Sequence, residues 1–252
     1  MVSVAQLVEP WIVIPVVVGS SPIIHPILFV RSFSKLLLGV CMNLNARAVI
    51  ISIFLLLVSP TILANEASAP LPQACLSACI QPFNKILGRS PHGVVAYSNC
   101  SERCVHPQPQ FSEGVFTGIS WQCVEYARRW LLKNYGVVYG SVDIAADIWD
   151  LKTVSSADKS QQFAFDSIVN GEALVAPKRG DLLIYAQQFL NTGHVAVVLK
   201  VDHANQKIWL GEQNFSNEMW PGDYARVVSF VQQAGKVFLL DPYLLGWKRV
   251  AR

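Results

Sequence analysis

Cys123 is the residue of this 252-residue chain whose type and placement suit covalent chemistry. It lies in Trp121-Gln-Cys-Val-Glu-Tyr-Ala-Arg-Arg-Trp130, which reads as the start of an amphipathic helix after a loop ending at Gly118 and Ser120. Ser120 suits an N-cap and would put Cys123 at the third helical position, among unpaired backbone N–H groups and the positive end of the helix dipole. Both favour a thiolate over a thiol, the condition for a sulphur nucleophile.

A nucleophile needs a base within hydrogen-bond reach and a third group to orient that base. Beyond residue 64 the histidines are His92, His106, His194 and His203. His92 and His106 fall in expected loops and His203 in a hairpin turn, whereas His194 opens an apolar strand directly after Gly193. A polar residue there needs a reason; a catalytic role is one, a hydrogen bond to a backbone carbonyl another. The next strand ends in Glu212-Gln-Asn214. Side chains on one face of a strand recur every second residue, so Glu212 faces His194 only if the connecting loop has an odd count. A two-residue turn would bring Gln213 there instead. Glu212 is therefore the first candidate orienter and Asn214, of the same parity, the second; Glu212 could also merely solvate a strand end.

The elements that must hold these groups follow from the pattern. The cysteine helix is expected over Trp121–Tyr135, stopped by Gly136, with Val124, Ala127 and Leu131 buried and Glu125 paired with Arg129 on another face. A short helix is expected around Ala74–Ile80 and another over Val142–Leu151. Val94–Tyr97 reads as a strand, Pro107–Pro109 and Gly114–Gly118 as loop, and residues 152–176 as a long surface excursion. Strands are then expected at Leu182–Tyr185, Gly193–Val201, Lys207–Glu212, Arg226–Val231, Val237–Leu240 and Leu245–Val250. Helices followed by an antiparallel meander predict an α+β fold.

The hydrophobic fraction of 52% and mean hydropathy of +0.35 are concentrated at the N-terminus. From residue 65 onward the chain holds 17 basic and 16 acidic residues. A near-neutral domain without a basic stripe gives no electrostatic reason to expect nucleic acid. From Met42 a short positive region, an apolar run from Ala48 to Val58 and a small residue at Ala64 describe a signal peptide over residues 42–64. Pro10, Pro15, Pro22 and Pro26 interrupt the apolar stretch before it, so residues 1–41 are expected to be an upstream extension of the reading frame; an uncleaved membrane anchor is the alternative. Residues 65–91 form a cysteine-bearing lead-in, and 92–252 the main domain.

Export would suit the cysteines. Cys75, Cys79, Cys100 and Cys104 form two Cys-x3-Cys pairs, read as two disulfides in an oxidising compartment. If both pairs lie on antiparallel helical turns, Cys75–Cys104 with Cys79–Cys100 is the natural pairing; a four-cysteine zinc site competes. After Ala64 there are five cysteines, and Cys123 is the odd one left over, which flags a free thiol.

The order cysteine at a helix start, Gly-His opening a strand, and a polar residue on the following strand resembles the CHAP amidohydrolases and the NlpC-type cell-wall endopeptidases. Pro177-x-x-Gly180-Asp181-Leu182 resembles their strand-entry turn. Further pieces are similar to the amidase domain of glutathionylspermidine synthetase/amidases: Gly93–Ser98, Trp121–Arg129, Asn134–Gly136, Thr192–Ala196, Glu212–Asn214 and Leu245–Trp247. The resemblance extends over residues 92–252. It implies a papain-like α+β domain with N-terminal helices packed on an antiparallel sheet. It further implies Cys123 as nucleophile, His194 as general base and acid, Glu212 as orienter, and Arg128 as holder of a substrate carboxylate. An ordinary helix-face ion pair would equally account for Arg128. Gln122 or nearby backbone N–H groups could form an oxyanion hole. No metal and no cofactor are implied. The segment Asn99–Thr117, with its cysteines and prolines, departs from the amidase pattern.

These observations predict an exported thiol amidase, acting on glutathionylspermidine or a related glycyl amide, or on a cell-wall peptide. The alternative of another class is a disulfide-stapled binding module without catalysis. Membrane contact is expected only through an uncleaved N-terminal segment.

Overall fold

The computed structural model describes residues 70–252. The expectations for residues 1–41, for the 42–64 signal segment and for residues 65–69 lie outside that range. Among the described residues, no helix is long and apolar enough to cross a membrane.

The chain is mostly sheet. Its strands are β1 (Ile86–Arg89), β2 (Val95–Tyr97), β3 (Pro109–Ser112), β4 (Val115–Ile119), β5 (Val137–Tyr139), β6 (Thr153–Ser156), β7 (Gln162–Val169), β8 (Leu182–Tyr185), β9 (His194–Asp202), β10 (Lys207–Gly211), β11 (Arg226–Gln233), β12 (Lys236–Leu239) and β13 (Leu244–Val250). Nine of them form one antiparallel sheet in the order β12-β11-β10-β9-β8-β13-β7-β6-β5, and β1–β2 and β3–β4 are separate hairpins. The helix α1 (Cys123–Tyr135) is the one α-helix among the described residues.

α1 forms because Tyr126, Ala127, Trp130 and Leu131 recur at helical spacing and are wholly buried. They pack against Leu182 and Ile184 of β8 and Val195, Val197 and Leu199 of β9. The alternate residues of those strands, Leu183, Tyr185, Ala196 and Val198, enter a second core with Ile208, Leu210, Phe230, Val237 and Trp247. β8 and β9 are thus buried on both faces, which is why they read as unbroken apolar runs. α1 ends at Gly136 in the left-handed conformation, φ 65°, its N–H bonded to the Leu132 carbonyl.

Several expected elements take other forms. Ser120 is not the N-cap: its hydroxyl donates to the Gln108 carbonyl at 3.2 Å and accepts from Gln110 at 2.6 Å. Gln122 occupies the cap position, without a side-chain cap bond, and Cys123 is the first helical residue. Around Cys75 there is only a three-residue 3-10 turn, Gln73–Cys75. The expected helix at Val142–Leu151 is a six-residue 3-10 helix, Ala145–Asp150, entered and left through extended residues. Asp147 accepts the Ile144 N–H at 3.3 Å. The buried Lys248 of β13 holds this segment down, donating to the Trp149, Leu151 and Phe165 carbonyls and to Ser167 Oγ at 2.6–3.2 Å. The expected loop around Gly114 is the β3–β4 hairpin. Residues 152–176 hold β6 and β7 rather than an irregular excursion. Their alternation is weak because these outer strands bury few side chains, Val154 and Phe165 among them.

Candidate active site

Cys123 enters the site from the first turn of α1 and His194 from the start of β9. Gly193 makes the second placement possible: its φ is +70°, and a Cβ there would lie 2.5 Å from the Tyr185 carbonyl oxygen. A glycine tolerates both demands; other residues do not.

Glu212 reaches His194 because of a β-bulge. The turn between β9 and β10, residues 203–206, has an even count, which by strand parity alone would set Gln213 on His194's face. β10 pairs with β9 as Lys207↔Asp202, Ile208↔Val201 and Trp209↔Lys200, then slips to Leu210↔Val198 and Gly211↔Val197. Leu199 and Lys200 therefore stand together opposite Trp209, and the extra residue reverses the parity. Glu212 Oε2 lies 2.9 Å from His194 Nε2. That leaves Nδ1 for Cys123, which lines the same cleft as His194.

Burial and charge set the protonation of the three. Cys123 is 8%, His194 1% and Glu212 3% exposed. Burial pushes the Cys123 thiol up, but the His194 charge, its hydrogen bond and the backbone N–H groups of Val195 and Val124 more than offset it, and the net shift is downward. Burial pushes His194 down; the Cys123 thiolate and the bonds to Cys123 and Glu212 outweigh it and raise the imidazole to about 9. Glu212 is held below the usual carboxylate range: burial opposes this, Arg226 and His194 enforce it. Both shifts favour a thiolate–imidazolium pair backed by a carboxylate, a form that can attack a carbonyl carbon and then deliver a proton to a leaving group.

The pair opens on a cleft of about 370 Å³ lined by Gln122, Asn214, Glu102, Arg103 and Thr192, among others. Gln122 Oε1 accepts from Asn214 Nδ2 at 2.9 Å and its Nε2 donates to the Cys104 carbonyl at 3.3 Å. Asn214 thus aligns Gln122 rather than His194. Gln213 points away from the histidine. Its amide donates to Glu125 Oε2 at 3.1 Å and to the Gln122 carbonyl at 3.2 Å, and its Oε1 accepts the Tyr97 N–H at 2.8 Å.

Arg128 does not face this cleft. Five residues along a helix turn the side chain about 140° from Cys123. Its guanidinium donates to the Thr117 and Gly140 carbonyls, stands 4.8 Å above the Tyr139 ring and borders a separate cleft with Phe116. No carboxylate pairs with it among the described residues. Glu125 and Arg129 do pair, at 2.7 Å, but in the interior rather than on an open helix face. Thr117 and Gln213 complete the partners of that carboxylate.

The four other cysteines among the described residues form two nested disulfides, Cys75–Cys104 and Cys79–Cys100, and Cys123 is free. The pairing is the one expected from antiparallel turns, although the turns are irregular. It uses all four sulphurs, so none is left as a thiolate for zinc. The nested bridges brace Glu102 and Arg103, which wall the cleft, and Asn99, whose Oδ1 accepts the Trp121 N–H at 3.1 Å.

Arg226 is a site residue that sequence reasoning missed. Its Nε lies 2.6 Å from Glu212 Oε1. A cation at the very start of an apolar strand was the available signal.

Fold and site define a class, a papain-like cysteine hydrolase, and comparison narrows it. Residues 114–214 match the CHAP domain, a span that contains Cys123, His194 and Glu212 and that supports reading this region as a cysteine amidohydrolase. It is 34% identical over 182 residues to the bifunctional glutathionylspermidine synthetase/amidase of Escherichia coli K12, covering 66% of this chain and 29% of that protein. It is 30% identical over 161 residues to the trypanothione synthetase of Crithidia fasciculata, covering 64% of this chain and 24% of that protein. The chain thus spans less than a third of the length of these relatives.

Proposed function

We propose that the protein is an exported amidase that hydrolyses a glycyl amide resembling glutathionylspermidine through a cysteinyl acyl-enzyme. The observation that carries the mechanism is that Cys123 and a His194 bonded to Glu212 open together on one cleft. Cys123 thiolate adds to the amide carbonyl. The oxyanion is received by backbone N–H groups at the start of α1 and by the Gln122 amide. His194 gives its proton to the departing amine, then takes one from water, which releases the acid and restores the thiolate. Each proton transfer contributes on the order of a hundredfold to ten-thousandfold, and oxyanion donors about as much again.

The substrate reading leans on the relatives' names and on the cleft rim. An amide of a peptide with a polyamine carries carboxylate and ammonium groups, and Arg103 and Glu102 offer one charge of each sign. The two disulfides favour a second reading, a cell-wall stem or cross-bridge peptide, since they suit the oxidising side of a membrane where that polymer lies. Assay of the purified protein against both substrates separates the readings. A Cys123→Ala variant with full activity would defeat the mechanism for either.

A further inference from the structure

We propose that Arg226 is a positioning residue for this hydrolysis: a fork of hydrogen bonds to Glu212, Asp241 and Tyr185 fixes the carboxylate that fixes His194. The inference rests on reading Cys123, His194 and Glu212 as the reacting set. Glu212 uses one oxygen on His194 Nε2, at 2.9 Å, and the other on Arg226 Nε, at 2.6 Å. The guanidinium then reaches Asp241 Oδ2 through Nη1 at 2.7 Å and the Tyr185 hydroxyl through Nη2 at 2.6 Å. Tyr185 donates to Asp241 Oδ2 at 2.6 Å, closing the ring of bonds. The Phe215 ring lies 4.5 Å from the guanidinium carbon.

Four segments meet in this fork. Arg226 opens β11, Tyr185 ends β8, Asp241 follows β12 and Phe215 follows β10. Leu210 pairs with Arg226 across β10 and β11, which pins the arginine beside the strand that delivers Glu212. The need for a second cation follows from the chemistry. His194 gives up and regains its proton during turnover, so the positive charge facing Glu212 comes and goes. A buried carboxylate without a fixed partner costs several kcal/mol, or takes up a proton instead. Arg226 stays charged throughout and holds its fork in one plane. The other titratable groups that act on Glu212 or face it are Tyr185 and Tyr126, both neutral.

Alkylation of Cys123 by iodoacetamide, followed against pH in the intact protein, reads the Cys123–His194 pair without a substrate. Arg226→Met is expected to raise the alkylation midpoint by about one pH unit, a tenfold loss of thiolate at lower pH. It should also lower kcat/KM on the order of a hundredfold, the scale of a misplaced catalytic group. Arg226→Lys keeps a cation but not the fork, so the midpoint stays and kcat falls. In a Glu212→Gln background, Arg226→Met changes neither quantity further. The proposal is overturned by a folded Arg226→Met protein with the wild-type alkylation profile, or by an activity loss of equal factor with and without Glu212→Gln. If Arg226→Met does not fold, Arg226→Lys decides: wild-type kcat overturns the fork. Absence of low-pH thiol reactivity in the wild-type protein instead defeats the nucleophile reading, and this proposal with it, which keeps the two failures apart.

Discussion

Cys123 and His194 each set the other's protonation, and the pH dependence follows from the signs. The thiolate–imidazolium pair exists above the lowered value of Cys123 and below the raised value of His194. Activity should therefore form a bell whose alkaline limb falls near pH 9 as the imidazolium loses its proton. A kcat/KM profile flat through pH 9 would contradict it. The same shift bears on folding. His194 is raised from 6.5 to about 9, so its stabilisation is fully present below 6.5 and disappears as the pH climbs through 9. Glu212 is lowered, so its share is lost as the pH falls through the acid range. Residue types and their order were enough to single out Cys123, His194 and Glu212. Which residue meets His194 was not legible, because a bulge of one residue at Leu199–Lys200 decides it and leaves no mark in the alternation of the strands. Arg128 borders a separate cleft for the opposite reason: a motif gives a residue's neighbours in sequence, while the helix turns it elsewhere.

At the scale of elements, α1 is anchored by charge as well as by apolar packing. The buried Glu125 carboxylate accepts from Arg129, Thr117 and Gln213, and so joins α1 to β4 and to the segment after β10. Glu125→Leu leaves the Arg129 guanidinium buried without its partner, and a loss of about 3–5 kcal/mol is expected, read as a lower midpoint in urea. Lys248→Met strands carbonyls that cap the 3-10 segment, at about 1–3 kcal/mol for each group left unsatisfied. Thermal melts should show that loss while Cys123 alkylation stays as in the wild type. β8 and β9 were legible because strands buried on both faces are continuous apolar runs. β6 and β7 were not, because outer strands show solvent too much of their surface to alternate clearly. The Val142–Leu151 pattern was helical in period but too short to sustain α-helical bonds against a capping Asp147.

At the scale of the molecule, the nested disulfides brace the segment that walls the cleft, ahead of the residues that match the CHAP domain. Each closes a loop of the size expected to contribute about 3–4 kcal/mol, the separations being 29 and 21 residues. Replacing Cys79 and Cys100 by serine should lower the melting temperature and raise KM more than kcat, because the bridge braces a wall and not the reacting groups. A change confined to kcat would contradict that. The bridges also create a problem of assembly. A cysteine that ionises readily is also the one best suited to attack a disulfide sulphur, and residues 65–252 carry such a cysteine beside four that must find one pairing. The order of the sequence supplies an answer. All four leave the ribosome before Cys123, so their bridges can close before the competing sulphur emerges and before the strand bearing His194 is in place. Refolding of the full reduced chain removes that head start. Mixed disulfides to Cys123 should then accumulate on non-reducing gels, and Cys123→Ser should restore the native pairing.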